Sequence, residues 1–170
     1  MVTFALASGE EIRFRPVVPD DEPVIADGIR TASRETLLHR FFTPLRGLPP
    51  AELRRMLTID PAREACIVGE LTSSTGKRIV CGARYVRLAD PSVAEIALTV
   101  HDDFQGERIG TFMLDHLIQL GRADGIRTFV ADVLVTNTRM LRLLQKIAPK
   151  RRSTLADGVC HVEFDLAEVA

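Results

Sequence analysis

The stretch EACIVGELTSSTGKRIVCGARYVRLADPSVAEIALTV, residues 64–100, constrains the fold more than any other part of the chain. It holds three strand-like runs rich in β-branched and aliphatic residues, split by TSSTGK and ADPS, both made of turn formers. Runs joined by such short breaks pair antiparallel with their neighbours, because a parallel return needs a crossover of a dozen or more residues. The stretch therefore predicts an antiparallel meander.

The flanks supply the rest of the order. EEIRFRPVVPDDEPVIADGIRTA opens with alternation through Ile12 and Phe14, then passes Pro16 and Pro19 into a helical pattern with Val24, Ile25 and Ile29. Ser33 and Thr36 are placed to start a second helix that Pro44 ends, and Pro50 sits at the start of a third. After the meander, Ile109, Phe112, Met113, Leu117 and Leu120 recur at helical spacing. TFVADVLV then reads as a strand, NTRMLRLLQKIA as a helix with Asn137 as its N-cap, and GVCHVEFDLA as a final strand. This order, β, helices, βββ, α, β, α, β, predicts an α/β (α+β) fold with a mixed, mostly antiparallel sheet and helices on both faces. With no repeat, low-complexity tract or long linker in 170 residues, a single domain over 1–170 is expected.

Composition excludes some functions. Twenty-two basic against 23 acidic residues leave a formal charge of −1, which removes the main electrostatic reason to expect a nucleic-acid or membrane partner, although local basic patches remain open. No apolar run approaches the roughly 20 residues of a membrane helix. MVTFALASGEEIRF lacks the basic start and sustained apolar core of a secretory signal, so a cytoplasmic location is the default expectation. Cys66, Cys81 and Cys160 are odd in number and set among apolar residues, which fits reduced core thiols. His39, His101, His116 and His161 show no paired ligand spacing, so no metal site is expected.

The chemistry concentrates in VHDDFQGERIGTFMLDHL, residues 100–117, which follows the last meander strand and opens a helix. A strand, a glycine-containing loop and a helix N-terminus can converge several backbone N–H groups on a phosphate. Gly106 and Gly110 allow close approach. No Lys-Ser or Lys-Thr follows Gly110, and the glycines are four apart with no third, so neither a Walker A nor a G-x-G-x-x-G loop is present. By itself the pattern reads as a simple strand-to-helix turn rather than a phosphate cradle.

In context, HDDFQGERIGTFML after AEIALTV resembles the acetyl-CoA signature of the GNAT N-acetyltransferases: Gln or Arg, two residues, Gly, one residue, then Gly or Ala. Gln105 and Gly110 fill its outer positions, and Arg108 stands where the inner glycine is expected. The element order resembles that family's too. FRPVVPDDEP, SRETLLHRFFTPLRGLPPAEL and NTRMLRLLQKIA are similar to the acetyltransferase domain of bacterial protein lysine acetyltransferases, and no nucleotide-sensing or synthetase-like domain is expected within these 170 residues. The resemblance implies acetyl-CoA as co-substrate, with the backbone of Leu98, Thr99 and Val100 along the pantetheine arm. It also implies that Gln105, Gly106, Glu107, Arg108, Ile109, Gly110 and Thr111 surround the pyrophosphate. The acceptor it implies is a protein lysine or a small amine, and a homodimer is allowed for.

Glu95 is the only charge in the run Val93–Val100, where alternation puts it on a face with Ala97 and Thr99. It reads either as an exposed strand carboxylate or as a general base for an amine that must lose a proton. The resemblance implies the second. Asn137 reads as a helix cap and, by resemblance, as a cofactor contact. The position of the tyrosine that protonates the leaving thiolate in many members is Leu144, so no general acid is assigned. Tyr85 is expected to pack in its strand, and Asp102 and Asp103 to face solvent from a loop. A module that holds acyl-CoA without turning it over stays open as the alternative.

Overall fold

The computed structural model describes residues 2–73 and 76–169. Among them, eight strands form one sheet in the order β1-β2-β3-β4-β5-β6-β8-β7. The chain opens with a hairpin, β1 (Val2–Ala5) and β2 (Glu11–Pro16), and continues through α1 (Glu22–Thr31), α2 (Arg34–Phe41) and α3 (Pro50–Leu57). The meander follows as β3 (Glu64–Ser73), β4 (Gly76–Arg87) and β5 (Val93–Val100), paired antiparallel as expected. Ser74 and Thr75, in the first expected turn, lie outside the described residues. Then come α4 (Ile109–Ala123), β6 (Thr128–Leu134), α5 (Thr138–Ile147), and a closing hairpin of β7 (Arg152–Ala156) and β8 (Val159–Asp165). Only β5 and β6 run parallel, so the sheet is mixed and mostly antiparallel.

Two strands extend the expected order. β1 is four residues long, too short to register as an alternating run, and it is held by pairing with β2 and by Phe4 against the Phe112 ring at 5.2 Å. β7 is exposed along its whole length, so it carries no apolar alternation. Asp157 and Gly158 at its end, with φ of 51° and 78°, form the two-residue turn that sets up the last hairpin.

Helices cover both faces. On one, α4 lays Ile109, Met113, Leu114, Leu117 and Ile118 against the sheet, each at most 1% exposed. Burying each such side chain contributes roughly 1.5–3 kcal/mol as an upper bound. α5 joins this core through Leu144, which is fully buried. On the other face, α1 and α3 close a smaller cluster around Val17, Leu53, Leu57 and Val68. A bulge at Gly69/Glu70 interrupts the β3–β4 ladder, and only glycine fits there, since a Cβ on Gly69 would come within 2.3 Å of Cys81 Sγ.

Candidate active site

The sheet forks at its centre. β5 pairs with β6 only from Val93↔Thr128 to Glu95↔Val130, while its pairing with β4 continues to Val100↔Cys81. Beyond Glu95, β6 turns to β8 alone, leaving the β6-facing edge of Ile96–Val100 without a strand partner. Unpaired backbone inside a protein calls for other hydrogen-bonding partners. At the far end of this edge Val100 finds one: its carbonyl accepts from Gln105 Nε2 at 3.0 Å.

A groove of about 980 Å³ follows the fork. Leu98, Thr99, Val100, Gln105, Gly106, Arg108, Ile109, Gly110, Thr111 and Asn137 all line it, so the structure brings together most of the positions expected from sequence. Glu107 and Glu95 are not among them: both side chains are exposed, Glu107 on the loop and Glu95 on β5 three residues before Leu98. Arg108 has φ 63°, ψ 8°, a left-handed conformation immediately before α4. That geometry explains why glycine is expected at this position, since an L-residue there costs about 1–2 kcal/mol. Gly106, at φ 93°, also requires a glycine, whereas a Cβ on Gly110 would meet Leu143 at an ordinary 3.5 Å, so alanine fits that position.

Sequence reasoning missed the α2 wall. Asp102, expected to face solvent, instead clamps α2 to the loop. Its carboxylate accepts from Ser33 N at 2.8 Å, Ser33 Oγ at 2.7 Å and Thr36 Oγ1 at 2.8 Å. Burial raises the Asp102 pKa, but these hydrogen bonds outweigh it and hold the carboxyl below its ordinary value. Gln105 Nε2 also donates to Thr36 Oγ1 at 3.1 Å, so loop, strand end and helix are tied at one point. Asp103 does face solvent. Opposite α2, Asn137 Oδ1 accepts from Met140 N at 3.2 Å and caps α5 as expected. His39 Nε2 lies 3.2 Å from Thr136 Oγ1, linking the two walls. Arg139 and Arg142 add positive charge from α5; their spacing of three along NTRMLRLL was the available signal that they share a helix face.

Glu95 is the last β5 residue paired with β6, at the vertex of the fork. It is exposed and makes no hydrogen bond or ion pair with the described residues. Tyr85 is 1% exposed and its hydroxyl donates to Asp124, so it packs in its strand as expected. Leu144 sits in the core and offers no proton. Burial pushes the Cys81 thiol up to about 12 and raises Cys66 as well, which keeps both protonated. Among the described residues no three His, Cys, Asp or Glu cluster as metal ligands, and no helix is long and apolar enough to cross a membrane.

A sequence-family model described as the Acetyltransferase (GNAT) family matches residues 33–148, which span α2, the fork, the loop and α5. The chain belongs to this family. Acetyltransferase Pat of Mycolicibacterium smegmatis is 33% identical over 164 residues, covering 95% of this chain and 48% of that protein. The chain thus spans about half the length of that relative. Acetyltransferase PA5475 of Pseudomonas aeruginosa is 27% identical over 136 residues, or 80% of this chain and 73% of that one. The crystal structure of the GNAT domain of S. lividans PAT superposes with a TM-score of 0.84 at 26% identity, covering 96% of each chain. The GNAT fold expected from the element order is therefore the fold observed.

Within this GNAT frame, Arg108 gives a specific expectation. Arg108→Gly relieves about 1–2 kcal/mol of left-handed strain but adds about 0.4–1 kcal/mol of unfolded-state freedom, so the variant should gain between nothing and about 1.6 kcal/mol in stability. If the loop holds acetyl-CoA through its backbone amides, the variant's affinity should fall slightly or stay the same, since only the Arg108 guanidinium at the groove is lost. Calorimetry showing the variant binding at least tenfold tighter would mark Arg108 as an obstruction.

Proposed function

We propose that the chain is an acetyl-CoA-dependent N-acetyltransferase that acts on a protein lysine amine by direct transfer. The observation that carries this reading is the fork, which leaves the edge of Ile96–Val100 open along the groove and has Glu95 as its last paired residue. Pantetheine amides pair with the open backbone of Leu98–Val100, in the manner of an added strand. The pyrophosphate lies against the amides from Gln105 to Thr111 at the α4 N-terminus, with Arg108 beside it and Asn137 on the facing wall. The thioester then ends near the vertex, where Glu95 stands.

The neutral amine attacks the thioester carbonyl, the C–N bond forms and the C–S bond breaks. Glu95 takes the amine's proton directly or through a water. The departing thiolate takes its proton from solvent, since Leu144 cannot give one. Direct transfer rather than an acyl-enzyme is favoured because Cys66 and Cys81 are held as thiols. The lysine acceptor rests on the resemblance of FRPVVPDDEP, SRETLLHRFFTPLRGLPPAEL and NTRMLRLLQKIA to bacterial protein lysine acetyltransferases.

The first test is binding. Acetyl-CoA at about 100 times its dissociation constant should stabilise the folded chain by about 2.7 kcal/mol, seen as a rise in Tm. An unchanged Tm at millimolar acetyl-CoA would contradict the reading.

A further inference from the structure

Beside the groove, on the α1–α3 side of the sheet, lies a second cavity of about 150 Å³. Thr36, Arg40 and Thr99 line both, so the two spaces meet at these side chains. The cavity wall is mostly aliphatic, from α1, α3 and the sheet. On its floor Arg84 of β4 faces Ala97 of β5, and Gly82 faces Thr99, which places two polar side chains diagonally with small residues between them.

The charge in this cavity is one-sided. Arg40 and Arg84 line it, and no Asp or Glu is among the described residues that do. Arg84 reaches Glu64 through Nη2, but its Nε is buried with no hydrogen-bond partner. Thr99 Oγ1 is likewise buried and without a partner. The Arg40 guanidinium lies 5.1 Å from the centre of the Phe41 ring and makes no hydrogen bond or ion pair with the described residues. Burial lowers its pKa from the ordinary value and repulsion from Arg84 adds to this, while Cys66 and Glu95 act the other way. Arg40 is half-buried, whereas Arg84 Nε and Thr99 Oγ1 are buried groups of the kind that is normally satisfied. A purely aliphatic occupant would fill the wall and leave them unpaired. A carboxylate would accept from all of them.

We propose that this cavity takes a carboxylate carried on a short carbon chain, held by Arg40, Arg84 and Thr99 beside the acyl position. The inference rests on the acyltransferase reading given above. An apolar cavity of this volume can admit a six-membered hydrocarbon ring, so a chain of about four carbons fits the space. The carboxylate can come from the far end of the donor's acyl group, making the donor the CoA monothioester of a dicarboxylic acid, or from the amine acceptor.

Calorimetry with CoA, butyryl-CoA and succinyl-CoA separates these sources. If the acyl group carries the carboxylate, succinyl-CoA binds at least tenfold tighter than butyryl-CoA, a difference of about 1.4 kcal/mol. Arg40→Gln should then bring the two within about twofold. If the acceptor carries it, the two thioesters bind alike, while succinate binds the acetyl-CoA complex at least tenfold tighter than butyramide, again dependent on Arg40. No Arg40-dependent preference in either arm overturns the proposal. Thr99→Val, checked by its thermal melt, serves the same comparison if Arg40→Gln does not fold. Binding of CoA without a carboxylate preference removes this proposal alone. Failure of every CoA species to bind removes the acyltransferase reading and this one with it.

Discussion

Glu95→Gln is expected to slow acetyl transfer about a hundredfold to ten-thousandfold while binding acetyl-CoA nearly as well as the parent. Glutamine keeps the shape and a hydrogen-bonding carbonyl but has no basicity. No hydrogen bond or ion pair among the described residues depends on the charge, because the Glu95 carboxylate is exposed and acts on Arg40 only at a distance. Its neighbours across the sheet, Val86 and Val130, are apolar. Loss of rate without loss of affinity or stability would therefore report the chemical step. The deficit should shrink at high pH, where more of the acceptor amine is already neutral. Equal turnover in parent and variant, measured as CoA release across pH, would remove Glu95 from the mechanism.

The second large effect concerns stability. Glu70, 2% exposed, accepts from Arg13 at 2.8 Å and from Arg15 at 2.6 Å, and Lys77 lies 3.7 Å away. Arg15 is shared with Asp21 at 2.7 Å, so β2, β3 and the segment before α1 meet in one ionic cluster. Glu70→Ala should cost about 3 kcal/mol, the lower end for breaking a buried pair, because Arg15 keeps Asp21. For a chain of this size that lowers Tm by about 6–12 °C. Burial raises the Glu70 pKa, but the three cations outweigh it and hold the carboxyl below its ordinary 4.5. The Arg15 hydrogen bond likewise depresses Asp21, against the opposing effect of burial. Both groups are depressed in the folded state, so their stabilisation is present above the ordinary carboxylate range and is lost as pH falls through the folded values. Urea melts should show the gap between parent and Glu70→Ala constant at neutral pH and narrowing below about pH 4. A gap independent of pH would show that the ion pairs carry none of it.

Much of this was legible in the chain because the pattern was local. The meander, the α4 stripe and the Ser33 and Asn137 caps each depend on residues a few positions apart, and each formed as expected. β7 was not legible by alternation, since an all-exposed edge strand has none, although Asp157-Gly158 marked its turn. The loop could be found by its resemblance to the family signature, but the fork could not. It exists because β6 leaves β5 after three paired positions, and no local pattern encodes where two distant strands part. The same holds for Asp102, whose partners Ser33 and Thr36 are more than 60 residues away in sequence. Arg108 shows the reverse case: its position in the loop was evident, but its left-handed backbone appeared only in three dimensions.

Direct observation of transfer tests the central claim most closely. The purified chain, acetyl-CoA, and a panel of lysine-containing proteins and small amines would be followed for CoA release and, by mass spectrometry, for acetyl groups on the acceptor. The account predicts one acetyl-lysine formed per CoA released, abolished by omitting the acceptor and strongly slowed by Glu95→Gln. Tight acetyl-CoA binding with no acetyl transfer to any acceptor would contradict it, and would make the chain a holder of acyl-CoA that performs no chemistry on it.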